Sequence, residues 1–305
     1  MTFTGLVRGD LYHSSGNDLT ITPSYQGDPG WQSRGVAIGA VDMTWPLVGA
    51  AFGGTQVITP HIQLVASPHI KNLAIPDEDS RSVDLDDSNL FSLNRYPGYD
   101  RIEDGVRFTY GLDYLVRWPG WQISANIGQS YRFTSEPSLA PDGTGLSDRT
   151  SDIVGRVDVK FRDFITFTDR FRLDKSTLAS RVNEFDATIG DHKNYIEVGY
   201  TNLDRGIQLL EDLPDREELR GAARFTFLKY WSIFGSAVIN LTSKVDDPIN
   251  GSDGFQPLRT RLGFLYSDDC FEIGLSWRRD YVTLADARLG NAFLLHFAIK
   301  NLGSH

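Results

Sequence analysis

"VRFTYGLDYLVRWPGWQISANIGQSYRF", Val106 to Phe133, decides the fold class. Val106, Phe108, Tyr110, Leu112, Tyr114 and Val116 alternate with Arg107, Thr109, Gly111, Asp113 and Arg117, and only Leu115 breaks the pattern. Beyond the turn RWPGW the period returns, with Trp121, Ile123, Ala125, Ile127, Tyr131 and Phe133 set against Gln122, Ser124, Asn126, Ser130 and Arg132. Successive side chains of an extended chain point to opposite faces, so a period of two predicts a hairpin with one apolar and one polar face.

Working outward, runs of the same kind are predicted at 152–163, 165–174, 181–190, 194–203, 217–228, 231–242, 257–267, 269–279 and 291–300. Less regular candidates precede them at 4–12, 33–45 and 56–66, and Pro60 interrupts the last, where it removes a ladder donor. Most runs match the ~9 to 11 residues with which a tilted strand crosses a bilayer.

The connections sort by length. Tight turns (RWPG, DFIT, DHKN, LKYW, SDD) alternate with longer polar segments at 134–151, 175–180, 204–216, 243–256 and 280–290. A soluble sandwich has no reason to gather its tight turns at one end; an outer-membrane barrel has short periplasmic turns and longer outside loops. Trp118, Trp121, Tyr230 and Trp231 fall at strand ends, where an aromatic girdle meets the headgroups. The polar faces carry Arg107, Arg132, Arg156, Arg162, Arg170, Arg172, Arg224, Arg261 and Arg278, with Asp113, Asp158, Glu184, Asp186, Glu197 and Glu272. That is too much charge for a dry core and suits a wet lumen. The expected fold is all-β, an antiparallel transmembrane β-barrel of about fourteen strands. Ile123, Ile127, Val157, Phe225, Ile273 and Phe297 are expected to face lipid, while Asp169 falls on the apolar parity near a turn.

Composition agrees. A mean hydropathy of -0.28 would ordinarily suggest a soluble protein, but half of every barrel strand is polar. No apolar run approaches the ~20 residues of a membrane helix. The net charge of -10, with no free basic stripe, predicts no nucleic-acid partner. "MTFTGLVRGDLYH" lacks the layout of a secretory signal, so the chain is expected either to stay inside or to be a piece of something longer. The lone Cys270 cannot close an internal disulfide.

Enzyme motifs HExxH, GxSxG and GxxxxGK[ST] are absent, and His13, His61, His69, His192, His296 and His305 show no ligand spacing. No catalysis and no cofactor are expected. The acids of "DEDSRSVDLDDSN" miss the calcium-loop pattern, because Asn89 stands where Gly is needed and Arg95 where the bidentate Glu is needed, so no metal is expected.

The segment 67–105 is the longest stretch without a predicted strand, and such segments are generally functional or disordered. Leu90, Phe91, Tyr96 and Tyr99 give it apolar groups to bury, and Arg95, Asp100, Arg101, Glu103 and Asp104 can pair with charges of a lumen wall. An ordered, inward-folded loop is expected, with Phe91, Arg95, Tyr99 and Arg101 buried.

"IPDEDS" followed by "NLFSLNRYPGYDRIEDGVRFTYG" closely resembles the signature of the LptD (OstA-type) family of lipopolysaccharide-assembly outer-membrane proteins, close to NLFS-x-NRF-x-G-x-DR-x-E-x-G-x-R-x-x-YG, with Tyr96 in place of the Phe. The matching residues are Asn89, Leu90, Phe91, Ser92, Asn94, Arg95, Gly98, Asp100, Arg101, Glu103, Gly105, Arg107, Tyr110 and Gly111. "DDCFEIGLSWRRDY" resembles the family's Cys-containing penultimate strand and "NAFLLHFAIKNLGS" its terminal strand, so the likeness runs from about Thr44 to the end.

The resemblance implies a barrel of twenty-six strands preceded by a periplasmic jelly roll and plugged by the lipoprotein LptE. Residues 1–305 would then be the C-terminal part of the barrel, with 67–105 the outside loop that folds into the lumen. Arg132, Arg156, Arg224, Arg261 and Arg278 would be lumen-facing charges. The implied partners are lipopolysaccharide, LptE, the missing N-terminal half with its jelly roll, and the barrel-assembly machinery. The implied role is the non-catalytic insertion of lipopolysaccharide into the outer leaflet of a Gram-negative outer membrane, and the alternative is a self-contained porin of about fourteen strands. Cysteines near position 270 form disulfides to the periplasmic domain in the family, but here Cys270 stands alone.

Overall fold

The computed structural model of the chain describes residues 1–134, 139–204, 215–243, 253–282 and 289–300. Its strands are β1 (Thr2–Ser14), β2 (Gly30–Thr44), β3 (Leu47–Ala51), β4 (Gly54–Ser67), β5 (Gly105–Trp118), β6 (Trp121–Arg132), β7 (Ile153–Phe161), β8 (Ile165–Leu173), β9 (Ser180–Gly190), β10 (Tyr195–Leu203), β11 (Arg216–Phe227), β12 (Trp231–Asn240), β13 (Gln256–Ser267), β14 (Phe271–Asp280) and β15 (Gly290–Ile299). They form one antiparallel sheet in which each strand follows its sequence neighbour, with β3 attached to β4 off the main path. The fourteen strands of that path are those the alternation predicts. Among the described residues no helix is long and apolar enough to cross a membrane. Most of the long connections at 204–216, 243–256 and 280–290, and the tail beyond Lys300, lie outside the described residues.

The additional strand β3 explains how Pro60 is tolerated. β4 pairs with β2 through 61–66 and with β3 through 54–58, so Thr59 and Pro60 fall at the change of partner. Pro60 has no N–H to donate there, and its carbonyl accepts from Trp45 N at 3.0 Å.

Two compact units divide the chain: Met1–Val157 with Arg170–Val182 and Asp204–Pro214, and Asp158–Asp169 with Asn183–Leu203 and Asp215–His305. In the first, register places Arg34, Gln63, Arg107, Thr109 and Ser130 on one face of β2, β4, β5 and β6, and all are buried. The opposite face exposes Ile62, Leu64, Tyr110, Leu112 and Ile127. Val116 departs from that rule: it is buried, flanked across the ladders by Gln56 and Ile123. In the second unit the apolar face exposes Phe225, Ile233, Leu262, Phe264, Ile273, Leu275 and Phe297. Phe225, Ile273, Phe297 and Ile127 are thus exposed apolar groups as expected, and Ile123 and Val157 are partly covered. Asp169, unaccounted for in the sequence, accepts from Asn183 Nδ2 at 3.2 Å.

Aromatic rings gather at the tight turns. Trp118 stacks on Trp121 at 6.0 Å and meets Phe52 at 6.2 Å, and Trp231 packs edge-on against Tyr266 at 4.6 Å.

Candidate functional site

Residues 68–104 contain a single 3-10 turn, Asn72–Ala74, and otherwise hold their shape through side chains. Two apolar clusters attach them to the first unit. Ile70 and Ile102 join Val36, Ile38 and Ala40 of β2 and Val65 of β4, with Leu93 against them. Val83, Leu85 and Leu90 join Ala140, Leu146 and Val154, with Phe91 and Tyr96 packed alongside.

The seat for the Leu90–Phe91 pair is cut by two glycines. Gly111 of β5 lies opposite Gly128 of β6. A Cβ on Gly128 would stand 2.5 Å from Leu90 Cδ2, and one on Gly111 would stand 3.2 Å from Phe91 Cζ. The Phe91 ring stacks on His61 of β4 at 3.7 Å and 7°, while Gln63 Nε2 donates to the Phe91 carbonyl at 2.7 Å. His61 also meets Asp42 at 3.1 Å.

Arg101, 2% exposed, is the central tie of the segment. It donates to the carbonyls of Asn72 (2.8 Å), Ile75 (2.7 Å) and Ser24 (2.8 Å) and lies 3.3 Å from the Asp77 carboxylate. Asn72 exchanges two hydrogen bonds with the Ile102 backbone, at 2.8 and 3.0 Å. Asn94 accepts from Glu103 N and donates to the carbonyls of Tyr96 and Arg101.

At the tip, Gly98 takes a left-handed φ of 68°, and a Cβ there would meet the Asp79 carboxylate at 2.1 Å. Asp79 accepts from Tyr99 N and Asp100 N, and Asp100 accepts from Glu78 N and Asp79 N. From β2, Arg34 reaches the carbonyls of Tyr99 and Asp100, each at 2.6 Å, and holds Asp10 of β1 at 2.8 Å.

Carboxylates of Asp77, Asp79 and Asp100 lie within 4.8 Å of one another. Arg101 and backbone N–H groups engage their oxygens, so the arrangement is one of turns and ion pairs. Burial pushes the Asp77 and Asp100 carboxyls up. Burial also opposes ionisation of Asp79, but the donating N–H groups of Tyr99 and Asp100 bring it below the usual range.

Glu103 sits among guanidiniums. Arg95 Nε donates to it at 2.8 Å, a second Arg95 bond and one from Arg107 complete the set, and Arg107 also reaches the Ser92 carbonyl. Burial opposes its charge, but Arg107, Arg95 and Arg132 together lower its pKa to about 2.

The motif residues therefore converge, with three exceptions. Tyr110 stands on the apolar face, 43% exposed, and donates to Gln129 at 2.5 Å. Asn89 serves its own turn through Asp84 O and Asp86 N, and Gly105, φ 85°, opens β5. Arg95 and Arg101 are buried, but Phe91, expected to be buried, is half-buried, and Tyr99, also expected to be buried, is 68% exposed, with the Arg8 guanidinium 5.4 Å from its ring. Of the other polar-face arginines, Arg132, Arg156 and Arg224 have a buried Nε, Arg261 covers the Phe234 ring at 5.4 Å, and Arg278 pairs with Asp280 at 2.9 Å. Cys270 is a free, exposed thiol in the β13–β14 turn.

Arg172 of β8, 1% exposed, is the residue that sequence reading left as one more polar-face charge. It binds Asp84, lies 3.6 Å from Asp152, and donates to the carbonyls of Gly143 (2.6 Å) and Thr144 (2.8 Å). It thereby ties the segment 83–90 to the connection before β7, a contact 88 residues apart that no local pattern announces.

The family model described as LptD, LPS transport system D, matches residues 1–231. The LPS-assembly protein LptD of Acinetobacter baylyi is 24% identical over a match of 262 residues that covers 81% of this chain and 30% of that protein. The chain thus spans less than a third of the length of this relative. Among solved structures, the chain is similar to a mutant of the Rh. blastica porin, with a TM-score of 0.31 and 8% identity, covering 92% of this chain and 94% of that one.

Proposed function

The chain belongs to the LptD family, LPS transport system D, and from that membership we propose that it forms the C-terminal part of an outer-membrane translocon that inserts lipopolysaccharide into the outer leaflet. It is a protein of the Gram-negative outer membrane. Its polar face lines the lumen, and the 67–105 segment is the loop that folds inward and narrows it. Lipopolysaccharide is the cargo. The other partners are a plug lipoprotein of the LptE kind, the N-terminal half of the barrel with its periplasmic domain, and the barrel-assembly machinery. No reaction step falls to the chain; ion pairs, amides and carbonyls on the polar face shape a passage. Cys270, exposed at a tight turn, would be the group to tie this part to the periplasmic domain.

The observation that carries this reading is the burial of Leu90, Arg95 and Arg101 of the family motif, with Leu90 and Phe91 seated against Gly128 of β6 and Gly111 of β5. A motif kept for an outside contact would expose those side chains. A self-contained porin would have no need of so elaborate an internal seat.

The test is depletion of the protein in its own host, with complementation by the wild type or by a form lacking residues 84–92. The expected result is loss of surface lipopolysaccharide and sensitivity to large antibiotics on depletion, restored by the wild type and not by the deletion, while the deleted form still reaches the outer membrane. Normal surface lipopolysaccharide after depletion would overturn the assignment.

A further inference from the structure

Arg107 of β5 and Arg132 of β6 are directly opposed in the ladder. Like charges so placed repel and destabilise a sheet unless something compensates. Compensation comes from Glu103, which Arg107 and Arg95 bind directly and which Arg132 also holds ionised. Two guanidiniums thus bind one carboxylate while a third, that of Arg132, stands across the ladder from Arg107, so three positive charges are set against the one charge of Glu103. The neighbouring Asp104 is turned away, accepting from Ile70 N at 2.8 Å and meeting His69 at 2.9 Å.

The surplus also shows in unused donors. Arg95 Nη1, Arg107 Nε and Arg132 Nε are buried and have no hydrogen-bond partner. Arg95 is 6% and Arg107 3% exposed, so these N–H groups are withdrawn from water. Leaving a buried charged donor unpaired costs more than leaving a neutral one. A single carboxylate offers two oxygens. A phosphate ester offers three acceptor oxygens and close to two negative charges, which is the complement of what Glu103 leaves unmatched.

We propose that Arg95, Arg107 and Arg132 form a phosphate-binding site that Glu103 occupies as a built-in competitor, so that an arriving phosphate ester displaces Glu103 and unlatches the 89–104 segment. The ligand class is a phosphate monoester or diphosphate, free or carried on a lipid-linked sugar headgroup. This rests on the transport reading only for the second source. Under that reading the cargo's own phosphates release the segment that narrows its path. The site lies at the end of β5 and β6 where the long connections meet the strands, at Arg107 and Arg132 rather than near the Trp118–Trp121 turn.

The test uses the intact protein in detergent, with inorganic pyrophosphate as probe against chloride of equal ionic strength. Binding is read by calorimetry and the latch by hydrogen exchange over 89–104. In the wild type, pyrophosphate should bind and speed exchange across that segment. Glu103→Gln should exchange faster before any addition and bind pyrophosphate about tenfold more tightly, since the competitor has lost its charge. Arg132→Gln, which keeps both direct partners of Glu103, should exchange as slowly as the wild type and bind about tenfold more weakly. Equal pyrophosphate affinity in all three proteins, or unchanged exchange over 89–104 in the wild type, would overturn the site. A bisphosphorylated lipid A that acts where its dephosphorylated form does not would identify a headgroup as the ligand; response to pyrophosphate alone would identify free phosphate. None of these readouts requires transport, so failure of the latch and failure of the transport reading remain separable.

Discussion

Both units expose an apolar face, but among the described residues only the first also buries apolar side chains. Among the described residues, every buried hydrophobic side chain, from Tyr25 to Val154, belongs to the first unit. Val36, Ile38 and Ala40 of β2 even turn toward the polar face, because residues 68–104 cover that face and make it dry. In the second unit Phe264, Leu275, Phe293 and Phe297 of the apolar face are 42%, 54%, 73% and 60% exposed. The same strand pattern therefore relies on two media. One unit is held by protein packed on protein, where burial of each large aliphatic group contributes ~1.5–3 kcal/mol. The exposed apolar faces of both units are the surfaces that lipid would cover.

That contrast can be broken most sharply at Arg101. Arg101→Ala would leave Asp77 buried without its cation, a loss of ~3–5 kcal/mol, and should make residues 68–104 accessible to protease while leaving β10–β15 as resistant as before. Lowering the pH attacks the same unit. Glu103 has a folded pKa of about 2 against an ordinary 4.5. Its contribution, on the order of 3 kcal/mol, is complete above about pH 4.5 and is lost as pH falls toward 2, so hydrogen exchange over 89–104 should accelerate in that window.

In the second unit the sensitive face is the other one. Leu275→Arg on the apolar face should cost ~2–4 kcal/mol in refolding into bilayers, against little for Ser236→Arg on the polar face; equal costs would refute the assignment of faces. Back in the first unit, Gly128→Val should displace Leu90 and cost ~1–3 kcal/mol, seen as faster labelling of a cysteine placed at Phe91. The smallest effect is expected at the tip. Tyr99→Ala removes a partly exposed ring over Arg8, worth ~0.5–1 kcal/mol, and should leave the rest of the segment in place.

The strands were legible in the sequence because alternation is a local property, and each of the fourteen on the main path could be read from a dozen residues. The regular runs from Val106 onward were the clearest. Those before Ser67 were weaker for a physical reason now visible: β2 carries aliphatic groups on the face that a distant segment covers, and β4 changes partner at Pro60. β3 escaped notice because its five residues alternate too briefly. The motif from Asn89 to Gly111 named its members but not their geometry.

The sequence by itself determined the class of the protein: antiparallel strands with one apolar and one charged face, tight turns against long connections, and a family motif in the longest of them. Only the tertiary structure decided which charges meet. That Arg172 closes on Asp84, that Arg101 gathers three carbonyls from Ser24, Asn72 and Ile75, and that Gly111 and Gly128 make one seat all depend on residues far apart in the chain. A period of two fixes which face a side chain takes, but a guanidinium on that face can reach any acceptor the fold brings near. Strand pairing and the packing of residues 68–104 make that choice, because burial leaves an unpaired charge or donor too costly to keep.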